Sequence, residues 1–174
     1  WWLTANPVKD LATSEPGADN RGKGVAVNLN INIGEFFESI SNETSNLKET
    51  WPRFRGESFD NISKSKVALI DKFAPEGPDV KWKISLGEGH AGAAIYEGKV
   101  YVLDYDEELH SDMLRCYSLE SGNELWKRWY KVNIKRNHGM SRTVPAVTEN
   151  YIITIGPRSH VMCVNREDGE FKWG

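Results

Sequence analysis

Leu114-Arg115-Cys116-Tyr117-Ser118-Leu119-Glu120-Ser121-Gly122-Asn123-Glu124-Leu125-Trp126 and Val161-Met162-Cys163-Val164-Asn165-Arg166-Glu167-Asp168-Gly169-Glu170-Phe171-Lys172-Trp173 share one build. Each has an apolar run, a polar turn holding a glycine, and a short run closed by tryptophan. Cys116 and Cys163, Gly122 and Gly169, and Trp126 and Trp173 are each separated by 47 residues. Three independent landmarks at one offset define an internal repeat. Each copy reads as two strands joined by a tight turn, in which the glycine supplies a positive φ.

Working outward, the first copy follows the strand Ala93–Tyr96, the turn Glu97-Gly98, the strand Lys99–Leu103 and an acidic loop from Asp104 to Asp112. The second follows Pro145-Ala146-Val147, the turn Thr148-Glu149-Asn150, the strand Tyr151–Ile155 and a shorter loop from Gly156 to His160. Each unit is a four-stranded meander. A four-stranded repeat of roughly 40–50 residues is the pattern of a β-propeller blade, which must stack on neighbours to cover its faces. The expected fold is all-β: about two blades plus a fragment, after an extended N-terminal region. Trp82, 44 residues before Trp126, is expected to close an earlier partial unit. A propeller needs about four to eight blades, so the closed molecule is expected to hold more than this chain does. A tryptophan ending each outer strand is suited to lie between adjacent blades, which makes Trp82, Trp126 and Trp173 structural.

Residues 1–50 form a separate region. Val25, Val27, Leu29, Ile31 and Ile33 alternate with polar residues, the pattern of a half-buried strand. Gly34 to Ile40 either continues it or starts a short helix, and Ser41 to Thr50 reads as a linker. Trp1-Trp2-Leu3 ahead of Thr4-Ala5-Asn6-Pro7 reads as the outer end of a membrane anchor, with the alternative of an ordinary segment. The repeats occupy residues 51–174.

Composition narrows the classes. Of 174 residues, 39% are hydrophobic, enough for a sizeable core. With 22 basic and 25 acidic residues the net charge is −3, which gives no basic field for nucleic acid. Two cysteines exclude a disulfide-rich scaffold and a cysteine-based zinc site. There is no Ser-His-Asp order, nucleotide-binding glycine loop or HExxH, so hydrolase, kinase and zincin readings have no support.

Trp51-Pro52-Arg53-Phe54-Arg55-Gly56 resembles the WPxFRG opening of quinoprotein-like β-propellers, the family with repeats like those that carry pyrroloquinoline quinone (PQQ). Gly87 to Val102 is similar to their first inner strand and hairpin. The two Cys–Trp stretches resemble the second half of their repeat, LYALDxxTGxxLW. The likeness covers residues 51–174. It implies one of two things. The first is a non-catalytic, extracytoplasmic, membrane-anchored propeller that binds a ligand or protein or acts as a scaffold. The alternative is the N-terminal part of a PQQ-dependent dehydrogenase oxidising alcohols or sugars, with PQQ and Ca²⁺ as cofactors. The dehydrogenases are implied to need an adjacent Cys-Cys disulfide, an Asp base and a Trp floor, and no adjacent cysteine pair occurs here. Cys116 and Cys163 fall at equivalent places on neighbouring sheets about 10 Å apart, beyond the roughly 7 Å Cα reach of a disulfide, so they are expected to be buried thiols.

In a meander, the loop entering the first strand and the loop joining the second and third lie on one face. Those loops hold His90, His110, His138 and His160, with Arg136, Arg142 and Arg158 and the acidic run Asp104, Asp106, Glu107, Glu108 and Asp112. His90, Arg136, His138, Arg142, Arg158 and His160 are candidates for binding a small anionic or carbohydrate ligand through charge-assisted hydrogen bonds. The alternative is that they pair with the acidic loop and hold it in place. Asp104, Asp106, Glu107 and Glu108 are candidate Ca²⁺ ligands, against a solvated acidic loop.

Overall fold

The computed structural model describes residues 30–134 and 140–174. The described residues contain no helix and nine strands in two antiparallel sheets. The first sheet has the order β1-β5-β4-β3-β2, with β1 Phe36–Ser39, β2 Ala94–Tyr96, β3 Lys99–Asp106, β4 Ser111–Ser118 and β5 Glu124–Lys131. The second has the order β6-β7-β8-β9, with β6 Ala146–Val147, β7 Tyr151–Ile155, β8 Val161–Asn165 and β9 Phe171–Trp173. Aromatic and β-branched side chains such as Val100, Tyr101, Val102, Ile152 and Ile153 favour this pleated, buried setting.

The repeat holds at the level of individual hydrogen bonds. Cys116 is paired with Trp126 and Cys163 with Trp173, and each ladder shifts register immediately after its cysteine. In the first turn, Ser118 N–H donates to Asn123 O and Gly122 N–H to Ser118 O; in the second, Asn165 N–H donates to Glu170 O and Gly169 N–H to Asn165 O. Gly122 and Gly169 take φ values of +76° and +70°. An L side chain there would be strained, and it would also meet an indole ring, Trp82 at Gly122 and Trp126 at Gly169.

The two sheets pack face to face. Tyr101, Leu103, Leu114, Cys116, Leu125 and Trp126 form one core with Val147, Ile152, Met162 and Val164. Both cysteines are free and buried, as expected of equivalent positions on stacked sheets. The other face of the first sheet carries Val100, Val102 and Tyr117, covered by Trp82 and Ile84. The Trp51–Gly56 stretch pins the inner edges of both sheets. Trp51 exchanges backbone hydrogen bonds of 2.8 and 2.9 Å with Ile95, and Pro52 O accepts from Val147 N–H at 2.8 Å.

Four sequence expectations need correction. Part of the strand expected over residues 25–33 lies outside the described residues, and Asn30, Asn32 and Ile33 carry no strand; the chain turns at Ile33-Gly34 and then forms β1. Ile31 and Ile33 are instead packed against the core, so their alternation reflected burial without ladder pairing. Second, Gly34 to Ile40, expected to continue that strand or to start a short helix, holds the separate strand β1, which adds to the outer edge of β5 as a fifth strand. Third, the acidic loop is shorter: Asp104 and Asp106 end β3, and Ser111 and Asp112 begin β4. The segment from 52 to 93 forms no strand beyond an isolated bridge at Gly89, so Trp82 docks from irregular chain.

Candidate functional site

The β3–β4 hairpin ends at the rim where the entering loops run. Gly87 N–H donates to Asp104 Oδ1 at 2.7 Å, His90 N–H to Ser141 O at 2.7 Å, and Thr143 Oγ1 to Ile155 O at 2.6 Å. Gly89 and Ser141 form a parallel bridge. The entering loops of the two units therefore touch each other at the same end as both joining loops.

On the inter-sheet face of this rim, Asp112 lies between Tyr105 and Tyr130 across the ladder. Tyr130 donates its hydroxyl to Asp112 Oδ2 at 2.8 Å, and the backbone of Gly156 closes over both groups. The His160 ring meets the edge of Tyr130 with centroids 5.5 Å apart. The Ser141 hydroxyl sits beside the carboxyl without a well-formed hydrogen bond, and Asp112 Oδ1, Ser141 Oγ and His160 Nδ1 are buried without a partner among the described residues. Burial pushes the Asp112 carboxyl up to about 6, helped by the Asp104 charge and opposed by the Tyr130 hydroxyl. Burial, and secondarily Arg158, lowers the His160 imidazole. Burial in the cluster thus disfavours the charged form of both groups relative to water.

On the opposite face, Arg115 bridges Asp104 and Glu124 with two 2.8 Å ion pairs. The Asp104 carboxylate also accepts from the Gly87 and Tyr105 amides. An open cavity of about 480 Å³ lined by Gly87, Glu88, Asp104, Glu107, Glu108 and Arg115 lies above this network.

The candidates named from sequence divide as follows. His160 is partly buried at the Asp112 cluster, with Arg158 near enough to act on its charge. His90, Arg142 and Arg158 are exposed at the same rim, and Arg136 and His138 lie outside the described residues. Of the acidic run, Asp104 is held by Arg115, Asp106 accepts from the Glu108 and Leu109 amides, and Glu107 and Glu108 are exposed. No group of three or more His, Cys, Asp or Glu among the described residues is placed to hold a metal ion. Tyr130 and Ser141 were not singled out from sequence; the register that sets Tyr130 opposite Asp112 appears only once β4 and β5 are aligned. No helix among the described residues is long and apolar enough to cross a membrane.

No family model, curated protein or solved structure matches this chain.

Proposed function

We propose that the two sheets are consecutive blades of a PQQ-like β-propeller that works without catalysis, as an extracytoplasmic, membrane-anchored binding or scaffold module. The observation that carries this reading is the repeated seat of a tryptophan on the turn glycine of the sheet that follows it, Trp82 on Gly122 and Trp126 on Gly169. Both contacts run in the same sense along the chain, which supports a series of stacked blades. The binding face is the rim where His90, Arg142, Arg158 and His160 gather, and its ligand is a protein segment, a carbohydrate or a small anion recognised through the exposed arginines.

The test has two arms. The protein is mixed with PQQ and Ca²⁺, and its absorption and dye reduction with alcohols and sugars are recorded; neither bound quinone nor dye reduction is expected. The protein and its Arg142→Ala/Arg158→Ala variant are then used to retrieve partners from a membrane fraction, and the variant is expected to lose what the parent retains. Stoichiometric quinone with alcohol- or sugar-dependent dye reduction would overturn the reading in favour of a dehydrogenase.

A further inference from the structure

Asp112 joins the two units at the rim. It is 1% exposed, and four elements close on it. From the first sheet, β3 brings Asp104 and Tyr105, and β5 brings Tyr130. From the second unit, the entering loop brings Ser141, with Arg142 next to it, and the joining loop brings Gly156, Arg158 and His160. His90 holds Ser141 in turn, through the 2.7 Å bond from its backbone N–H to Ser141 O.

The groups that act on the Asp112 charge among the described residues are Asp104, of like sign, and the hydroxyls of Tyr130 and Ser141. The Tyr105 hydroxyl is given to Val132 O at 2.8 Å, which leaves the Tyr130 hydroxyl to donate to Oδ2. The neutral carboxyl suits this setting, because it can carry its own O–H on Oδ1, beside the Ser141 hydroxyl.

Gly156 is the lid over this carboxyl. It is not at positive φ; what glycine provides is approach, since a methyl group there would collide with Asp112 Oδ2 and the Tyr130 hydroxyl. The lid is lightly held. Gly156 N–H donates to His160 O at 2.8 Å and Ser159 N–H to Gly156 O at 2.9 Å, so these bonds close the loop on itself. Ser159 stands at φ +63°, a left-handed conformation that L residues adopt at a cost. The loop lies beyond the last β7–β8 pair, Ile155 with Val161, so it can lift without parting a ladder. A buried carboxylate without a cation needs water, and lifting this loop admits it.

We propose that Asp112 is a proton-operated latch on the rim: protonated, it keeps the Gly156–His160 loop closed, and on losing its proton to water it lifts that loop together with Arg158 and His160. Burial pushes this carboxyl up to about 6, which places the change between mildly acidic and neutral conditions. What the lifted loop offers a ligand rests on the binding-face reading above; the latch rests on the cluster alone, and its test uses no ligand.

The test is hydrogen exchange of the 174-residue chain by NMR at pH 5 and pH 7.5, corrected for intrinsic rates, with the Asp112 Cγ shift followed over the same range. The Gly156 and Ser159 amides are expected to be less protected than the β4 amides at both pH values. They are expected to lose about tenfold in protection from pH 5 to pH 7.5, the ratio produced by a carboxyl at about 6 when closed and 3.8 when open. The loss is expected to follow the Asp112 Cγ titration and to be absent in Asp112→Asn. Four results overturn the inference. The loop amides are as protected as those of β4, so that the loop opens only with the whole fold. Their protection does not change with pH. The change persists in Asp112→Asn, which assigns it to His160 or another group. Or, in the parent chain alone, its midpoint departs from that of the Asp112 Cγ shift, a result that decides the matter even if the variant does not fold.

Discussion

The indole of Trp126 closes over the backbone of Gly169, so that a methyl group on that glycine would stand 2.9 Å from the ring. Trp82 and Gly122 repeat the relation at 2.7 Å. Each glycine thus serves two needs, a left-handed turn and a flat floor for a ring. Gly77 has the left-handed φ alone, with nothing within 4 Å. Alanine at any of the three incurs the left-handed strain of about 1 kcal/mol. At Gly122 and Gly169 it also displaces an indole, which adds about 1–3 kcal/mol of overpacking. Gly122→Ala and Gly169→Ala are therefore expected to lose about 2–4 kcal/mol in urea unfolding, and Gly77→Ala about 1 kcal/mol. Equal losses at all three would show that the tryptophans do not rest on their glycines.

The two thiols report on the two faces. Cys116 is wholly buried between the sheets, whereas Cys163, at 3% exposure, lies on the row that points away from them. Burial raises both thiols above their ordinary range. Exposing Cys116 requires the sheets to part, and exposing Cys163 requires only that Trp173 and its neighbours swing aside. A difference of about 1.4 kcal/mol in opening gives tenfold in rate. Alkylation of the native protein at pH 8, followed by peptide mass analysis, is expected to label Cys163 at least about tenfold faster than Cys116. Faster labelling of Cys116 would contradict the stacking of the two sheets.

Asp112 makes stability depend on pH. Burial disfavours the charge and pushes its carboxyl up to about 6 in the folded chain, against an ordinary 3.8. The folded state therefore binds the proton more tightly. The neutral carboxyl's contribution is complete below about pH 4 and is lost as pH rises through 6, in total about 3 kcal/mol. Asp112→Asn keeps an acceptor for the Tyr130 hydroxyl and carries no charge. It is expected to match the parent at pH 4 and to exceed it by about 1–3 kcal/mol at pH 8, measured by urea unfolding at each pH. A difference that does not change with pH would show that Asp112 titrates normally.

The repeat was legible because its landmarks recur at one offset: a glycine at positive φ in the turn, a tryptophan closing the last strand, and a buried cysteine paired with that tryptophan. Those landmarks located β4, β5, β8 and β9 and the buried thiols. The pairing of β1 was not legible, although a strand was one of two readings of its stretch: Phe36–Ser39 lies outside the repeat and pairs with a strand some ninety positions away, a relation no local period encodes. The Asp112 cluster was hidden for a similar reason. Asp112 sits in an acidic run that composition assigns to solvent, and only its register between Tyr105 and Tyr130 buries it. The rim itself was anticipated, because the end of a sheet at which a loop emerges follows from strand order alone.

Arg128 ties the N-terminal strand to the repeat. Its guanidinium donates to Gly34 O and to Gly169 O, both at 2.6 Å, and lies 4.6 Å from the centre of the Phe37 ring. It is 9% exposed and its charge is disfavoured by burial, so two carbonyls and a ring face hold it where water cannot. Removing it leaves both carbonyls unpaired and frees β1 from the second sheet. Arg128→Ala is expected to lose about 2–4 kcal/mol in global stability, from two buried acceptors at about 1–2 kcal/mol each. Arg128→Lys, whose ammonium lacks the planar fork by which Nε and Nη1 reach the two carbonyls, is expected to recover only part of that. The local sign is hydrogen exchange: β1 amides that pair with Trp129 through Trp126 should exchange faster in both variants relative to those of β4. Exchange in β1 that keeps pace with β4 would mean that the strand is held by its ladder alone, and that Arg128 is not the tie.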